Sequence, residues 1–186
     1  MIAFLDFEAS SLARHSYPIE VAWVFEDGAS ETHLISPAPG WDDWDSEAEA
    51  IHHIPRDLLL RDGMPHEALA RHMVATLSGH DLTASAPSWD GKWLSALLRA
   101  AGLPRHALRL RDTDEVQREA ICAILQGKSD DRRVDAEEVE RLRVTAIAAL
   151  PKMATAHRAL ADAQAERARW LAVCDAAQQF SDTARH

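Results

Sequence analysis

The sequence predicts an α/β domain. Three short apolar runs rich in β-branched and aromatic residues follow one another within the first 36 positions, and beyond residue 65 strand-like and helix-like segments alternate. The length, 186 residues, suits one substantial core and is short for two independent domains.

Residues 2–7 and 19–25 are compact runs of Ile, Val, Phe and Trp and read as strands, with Asp27-Gly28 behind the second as a turn signal. Residues 31–36 make a third strand, so the chain opens with an antiparallel meander that Pro37, Pro39 and Gly40 end. A connection containing Trp41, Trp44 and Ile51-His52-His53-Ile54 follows, and Pro55 and Pro65 are first-turn signals for two helices, the second running towards Leu77 with Gly79 as its stop. Residues 81–86 read as a strand and 90–101 as an amphipathic helix closed by Gly102 and Pro104. A brief strand at 108–110 leads into a helix over 113–125, whose Asp114 and Glu115 suit its positive end. The polar stretch 127–133 is the most loop-like and the place where mobility is expected. Helices follow over 136–150 and from 157 or 158 to 177, with 181–186 a frayed tail. Residues 113–150 thus read as a helical insertion within one domain, 1–186.

No N-terminal stretch has the order of a signal peptide and no apolar run approaches the roughly 20 residues that span a bilayer, so a soluble, cytoplasmic protein without a membrane partner is expected. Cys122 and Cys174 stand far apart in helix-like segments with no second Cys or His at metal-ligand spacing, so neither a disulfide nor a zinc site is expected there, and buried or half-buried free thiols are the reading. The net charge of −10 repels a phosphate backbone unless basic residues gather locally or cations neutralise an acidic site. Three of the 20 basic residues are Lys and the other 17 are Arg, the residue that grips phosphate with two parallel hydrogen bonds.

Two acidic pieces at opposite ends of the chain carry most of the chemistry. On a strand, residues two apart share a face, so Asp6 and Glu8 stand side by side while Phe7 turns into packing. Adjacent carboxylates repel each other and are stabilised when a hard divalent cation sits between them. A lone acid-x-acid pair is more often a solvated edge, so the pair needs company. Asp90 lies where a strand has ended and a helix begins, as a helix N-cap or as a ligand. Asp162 is flanked by Leu160, Ala161 and Ala163, an unexpected place for a residue of poor helix propensity. His157 precedes it by five residues, a rotation of about 140° on a regular helix, so His157 is expected on the approach to that helix, leaning over a site that Asp162 enters. A neutral imidazole there can take a proton from an attacking water.

Taken in order, Asp6-x-Glu8, Asp90 with Trp93 and Leu94 after it, and His157-x-Ala159-x-x-Asp162-Ala163 resemble the three motifs of the DEDDh exonucleases. That family includes the proofreading subunit of bacterial DNA polymerase III, oligoribonuclease and ribonuclease T. The resemblance spans residues 2 to about 170, and its last motif is the most specific. Pro18-Ile19-Glu20-Val21 and Ile51-His52-His53-Ile54 are softer matches, and Ser10-Ser11 stands where the family often has Thr-Gly.

The resemblance implies a ribonuclease H-like fold with a mixed five-stranded sheet flanked by helices. It also implies a 3′→5′ exonuclease that releases nucleoside 5′-monophosphates from single-stranded DNA or RNA 3′ ends with two Mg²⁺ or Mn²⁺ ions. Asp6, Glu8 and Asp162 would hold one ion, Asp6 and Asp90 the second, and His157 would be the base. Backbone or hydroxyl groups of Phe7, Ala9 and Ser10 are candidate contacts to the terminal nucleotide, weighed against plain strand-end packing. Trp41, Trp44 and His52 are candidates for the base-binding side, since an aromatic stacks on an unpaired base for about 1–3 kcal/mol. Trp89 and Trp93 are expected in the core.

Two other readings stay open. One is a binding module that keeps the fold without turnover. The other is a nucleotide phosphohydrolase built on His80-Asp81, in which His53, His66 and His72 show no ligand-like spacing of their own. A homodimer, with the charged helices between 113 and 150 as a partner surface, is a further possibility.

Overall fold

The computed structural model describes residues 1–127, 134–151 and 157–183. The chain runs through β1 (Ile2–Ala9), β2 (Pro18–Phe25), β3 (Ser30–Ser36), α1 (Ser46–His52), α2 (Arg56–Asp62), β4 (Met64–Pro65), α3 (His66–Leu77), β5 (Asp81–Ala84) and α4 (Pro87–Ala100). It continues through β6 (Leu110–Asp112), α5 (Thr113–Gln126), α6 (Ala136–Ala148) and α7 (Ala159–Thr183). The mixed sheet has the order β4-β3-β2-β1-β5-β6. Strands β1, β2 and β3 pair antiparallel, while β1–β5, β5–β6 and β3–β4 are parallel.

Both faces of the sheet are covered, which is why β2, near its centre, is buried at every position up to Val24 and is apolar apart from Glu20. On one face Leu5, Phe7, Val21, Trp23 and Ile35 pack with Leu69, Met73 and Leu77 of α3 and with Trp93, Leu94 and Leu97 of α4. On the other face lies α7, whose Trp170 ring sits 5.9 Å from that of Phe4. Behind α7, Ile121, Leu125, Val139, Ala146, Val173 and Ala177 form a second core that joins α5, α6 and α7. A third cluster of Tyr17, Ile19, Ile54 and Leu59 lies under Trp41 and Trp44. Among the described residues no helix is long and apolar enough to cross a membrane.

The five expected strands are present, and a sixth, the two-residue β4, extends the sheet beyond β3. It forms because Pro65 forces Met64 out of the helical region, leaving it extended beside Ile35. The connection before Pro55 contains a helix that apolar periodicity did not reveal. Asp45 caps α1 by accepting from the Glu47 amide at 2.9 Å, and Glu47 and Glu49 favour its positive end. Strand β6 lies two residues later than expected, its register fixed by Leu82 opposite Leu110 and not by local pattern. Helix α4 starts at Pro87 in the first-turn position that proline's fixed φ favours, so Asp90 lies inside the first turn and is not the N-cap. Helix α7 continues past 177 to Thr183. The loop expected at 127–133 falls, beyond Gly127, outside the described residues, as do the last three residues of the expected tail. Cys122 and Cys174 are free, half-buried thiols, and burial pushes the Cys174 thiol up to about 11.

Candidate active site

Strand register sets the first half of the site. Asp6 and Glu8 face away from the α3–α4 core that takes their neighbours Leu5, Phe7 and Ala9, and their partners across β2 are Ala22 and Glu20. Helix α7 supplies the second half. Its Ala159 and Ala163 are fully buried, and such small side chains let the helix backbone approach the sheet closely. One carboxylate oxygen from each of Asp6, Glu8 and Asp162 lies within 4.8 Å of the others.

Asp162 stands in the first turn of α7, where a negative charge meets the positive end of the helix. That placement removes the propensity objection raised by its alanine-rich surroundings. Glu20 fixes the start of the same helix. Its buried carboxylate accepts from the Arg158 guanidinium at 2.6 and 3.1 Å and from the Ala159 amide at 3.0 Å, so a strand residue caps the helix. His157 lies just before the helix, exposed and in the left-handed region at φ 45°, and its charge acts on Asp162.

Burial and mutual repulsion dominate the electrostatics. Asp6 is pushed up to about 9 by desolvation and then by Asp90, Glu8, Asp162 and Glu166. Glu8 rises to about 7 through burial, Asp162 and Glu20, with Arg158 pulling the other way. Asp90, only 3 % exposed, also rises to about 7 through burial, although backbone amides of Phe7, Ala86 and Asp90 oppose the shift. Asp162 is raised mainly by desolvation. Asp6 and Glu8 both feel the charge of Asp90, which lies outside the group of three whose oxygens come within 4.8 Å of one another.

A fifth acid was missed by sequence reading. Glu166, one helical turn beyond Asp162, is buried, raised by desolvation, and paired with Arg169. Its spacing of four from Asp162 was the available signal. These oxygen donors fit hard divalent cations such as Mg²⁺ or Mn²⁺, which would relieve the repulsion that keeps protons on the acids.

The expected substrate contacts are mostly enclosed. Phe7 and Ala9 point into the main core. Ser10 is fully buried, its hydroxyl accepting from the Tyr17 amide at 3.1 Å and donating to Asp43 at 3.2 Å. His52 is buried as well; its Nδ1 accepts from the Ile54 amide at 3.0 Å, while its Nε2 has no partner among the described residues. Desolvation lowers its pKa, and the charges of Glu20 and Arg158 reach it, which places it near the clamp at the start of α7. Trp41 stacks on Tyr17 with centroids 5.1 Å apart, and Trp44 donates to Glu49 at 2.7 Å, so both serve as anchors of the third cluster.

Trp93 is in the core as expected, but Trp89 is not. It is 39 % exposed at the N-terminal end of α4, because position 89 falls on the outer side of the helix that buries Asp90 and Trp93. With Leu12, Ala13, Arg14, Ser88 and Lys92 it lines an open groove of about 490 Å³ beside Asp90. Lys92 lies 5.0 Å from the Trp89 ring centre and donates to the Ala13 carbonyl and the Ser16 hydroxyl, pinning the chain after β1 to α4. At His80-Asp81, Asp81 accepts from Arg111 at 2.9 Å, and among the described residues neither joins a group of three able to hold an ion.

No protein-family model matches the chain, and no curated protein matches it in sequence. Solved structures do match in fold. E. coli exonuclease I in a zinc-bound complex with single-stranded DNA superposes with a TM-score of 0.65 at 18 % identity, over 98 % of this chain and 42 % of that one. The same enzyme bound to an oligonucleotide gives 0.64 at 18 % identity over 99 % and 42 %. Exonuclease I from Methylocaldum szegediense gives 0.62 at 18 % over 91 % and 40 %. The chain has a ribonuclease H-like fold. It spans about two fifths of the length of the exonuclease I chains it matches. Within this fold the acids come from β1, α4 and α7, with α4 packed on one face of β1 and α7 on the other.

Proposed function

We propose that the chain is a metal-dependent 3′→5′ exonuclease of the DEDDh family that acts on single-stranded ends, DNA in the first instance, and releases nucleoside 5′-monophosphates. The observation that carries this reading is the meeting of the half-buried Asp6, Glu8 and Asp162, with carboxylate oxygens within 4.8 Å of one another, and a buried Asp90 whose charge repels Asp6, in the order and on the elements the family motifs imply. The solved exonuclease I structures with single-stranded DNA support the substrate class. The same reading makes the chain a single cytoplasmic domain with residues 113–150 as a helical insertion.

In this reading Asp6, Glu8 and Asp162 would hold one divalent cation, and Asp6 with Asp90 a second. Bound there, such ions would supply the positive charge that lowers the pKa of an attacking water and offsets the charge developing on a leaving 3′ oxygen. The chain's own residues do the rest. His157, exposed beside Asp162, takes the proton of the attacking water through its imidazole nitrogen. The Glu20–Arg158 clamp holds Asp162 in register with β1. Trp89 and Leu12, exposed along the groove next to Asp90, offer apolar surface on which an unpaired base can stack.

The test is digestion of 5′-labelled single-stranded DNA and RNA of matched sequence with Mg²⁺, Mn²⁺ or EDTA. A metal-dependent ladder shortening from the 3′ end, absent in Asp162→Asn, is the expected result. His157→Ala should retain metal binding and slow the reaction by about 10²–10⁴-fold. Undiminished turnover in Asp162→Asn would sink the assignment of this site, and no shortening of either polymer with any metal would favour a binding module or a nucleotide phosphohydrolase.

A further inference from the structure

The second group able to hold an ion among the described residues lies on the other face of the sheet. Glu31 and His33 are two apart on β3, and their register partners on β2 are Trp23 and Val21. Those partners belong to the core under α3, whereas Asp6 and Glu8 pair with the alternate positions Ala22 and Glu20. Helix α3 brings His72 to the same point. The sequence offered no sign of this, because 39 residues separate His72 from His33.

Both imidazoles direct Nε2 at one oxygen of Glu31, at 3.0 Å from His33 and 2.6 Å from His72, and the three donor atoms lie within 4.8 Å of one another. The rings are held before any ion arrives. Each packs against Trp23, with centroids 5.3 and 5.8 Å away, and they meet edge to face at 5.6 Å. A tetrahedral zinc ion with bonds of about 2.0–2.2 Å spaces its donors about 3.3–3.6 Å apart, so binding would widen the Glu31–His33 and Glu31–His72 separations of 3.0 and 2.6 Å by at most about 1 Å, a small movement for side chains this exposed. The side chains are 24 %, 37 % and 37 % exposed for His33, Glu31 and His72, which leaves an entry path and room for water as the fourth ligand.

We propose that Glu31, His33 and His72 form a second metal site, for Zn²⁺ or a similar transition dication, that clamps β3 to α3 on the face opposite the carboxylate cluster. The donor set separates the two sites chemically. Two imidazoles and one carboxylate suit zinc and its borderline-soft neighbours, while the all-oxygen cluster of Asp6, Glu8 and Asp162 suits Mg²⁺ or Mn²⁺. The inference stands apart from the exonuclease reading, since it concerns binding at residues that reading does not use.

The test is Zn²⁺ titration of chelator-treated protein against a chromophoric competitor, in excess Mg²⁺ to occupy the carboxylates. The native chain and Asp162→Asn should each bind one tight equivalent of Zn²⁺. His33→Gln and His72→Gln should weaken it by at least ~100-fold, the upper end of what losing even a supporting group costs. Zinc should raise the Tm of the native chain and leave that of His72→Gln unmoved. Both substitutions are on half-exposed side chains, and unchanged far-UV circular dichroism shows that the fold is kept. No tight zinc in the native chain, native affinity in His72→Gln, or loss of the ion in Asp162→Asn would overturn the proposal. The cluster would then be a hydrogen-bonded Glu–His clamp, or the ion would belong to the carboxylates.

Discussion

Asp6 is pushed up to about 9, and this fixes how the metal-free protein responds to pH. In the unfolded chain an aspartate titrates near ~3.9. Between about pH 4 and pH 9 the folded state therefore keeps a proton that the unfolded chain has lost, and the stability of the metal-free protein falls as pH rises through that window. Glu8 and Asp90, each pushed up to about 7, steepen the fall over its lower part. A divalent cation replaces those protons, so added Mg²⁺ should raise Tm more at about pH 8 than at about pH 5. Asp6→Asn puts a group that cannot ionise in its place at nearly constant shape, and so removes the cost of taking up that proton on folding. It should raise the metal-free Tm at about pH 8 by ~2–4 °C or more, the shift that ~1 kcal/mol gives in a chain of this size, and abolish most of the response to Mg²⁺. Thermal melts of both proteins at the two pH values measure this. A lower Tm in Asp6→Asn with an intact Mg²⁺ response would show that burial and repulsion do not govern the site.

At the scale of elements, the position of α7 decides whether Asp162 and Glu166 reach the sheet. Glu20 on β2 holds the helix start through Arg158 and the Ala159 amide. Arg158→Ala leaves the buried Glu20 carboxylate with the amide alone. Because Arg158 is itself half exposed, the loss should be about 1–3 kcal/mol in urea unfolding, below that for a fully buried pair. It should be accompanied by weaker Mg²⁺ binding. Lysine should not restore the binding, since it lacks the fork that bonds both carboxylate oxygens. At the far edge, Gly63 ends α2 where that helix meets β3. A methyl group there would lie 2.3 Å from the Leu59 carbonyl oxygen and 2.6 Å from the Ser36 amide nitrogen, both backbone atoms that cannot swing away. Gly63→Ala should cost about 1–3 kcal/mol in the same assay while leaving nuclease activity in the surviving folded protein. An unaltered midpoint would mean that α2 moves aside freely.

For the whole molecule, the helical layer of α5 and α6 packs on α7, and α5 also meets the sheet where the Thr113 hydroxyl lies 2.9 Å from that of Thr83 on β5. Its core of Ile121, Leu125, Val139 and Val173 is separate from the core under α3 and α4, and Trp170 on Phe4 is one of the contacts that tie α7 to the sheet. Since α7 is common to both layers, we expect the single-domain reading to show as one cooperative transition, with tryptophan fluorescence and far-UV circular dichroism coinciding across urea unfolding. Two separated transitions would mean that the helical layer opens by itself and that Asp162 is only as stable as that layer. Five of the six Trp residues lie at or before residue 93, so fluorescence follows mainly the sheet and circular dichroism mainly the helices.

Much of this was legible in the chain itself. The meander of β1, β2 and β3, the alternation that follows, and the four acids Asp6, Glu8, Asp90 and Asp162 could be read because strand parity, helix signals and motif spacing are local properties. What the sequence could not show depends on partners far away along the chain. Strand β4 and the position of β6 come from pairing with β3 and β5. The exposure of Trp89 follows from how α4 docks, and the capping of α7 comes from Glu20, 139 residues before Ala159. The meeting of His72 with Glu31 and His33 is of the same kind. Local chemistry determined which residues carry charge and which face of an element they occupy; only tertiary packing decided which faces meet, because burial and charge pairing are summed over contacts that no spacing in the sequence encodes.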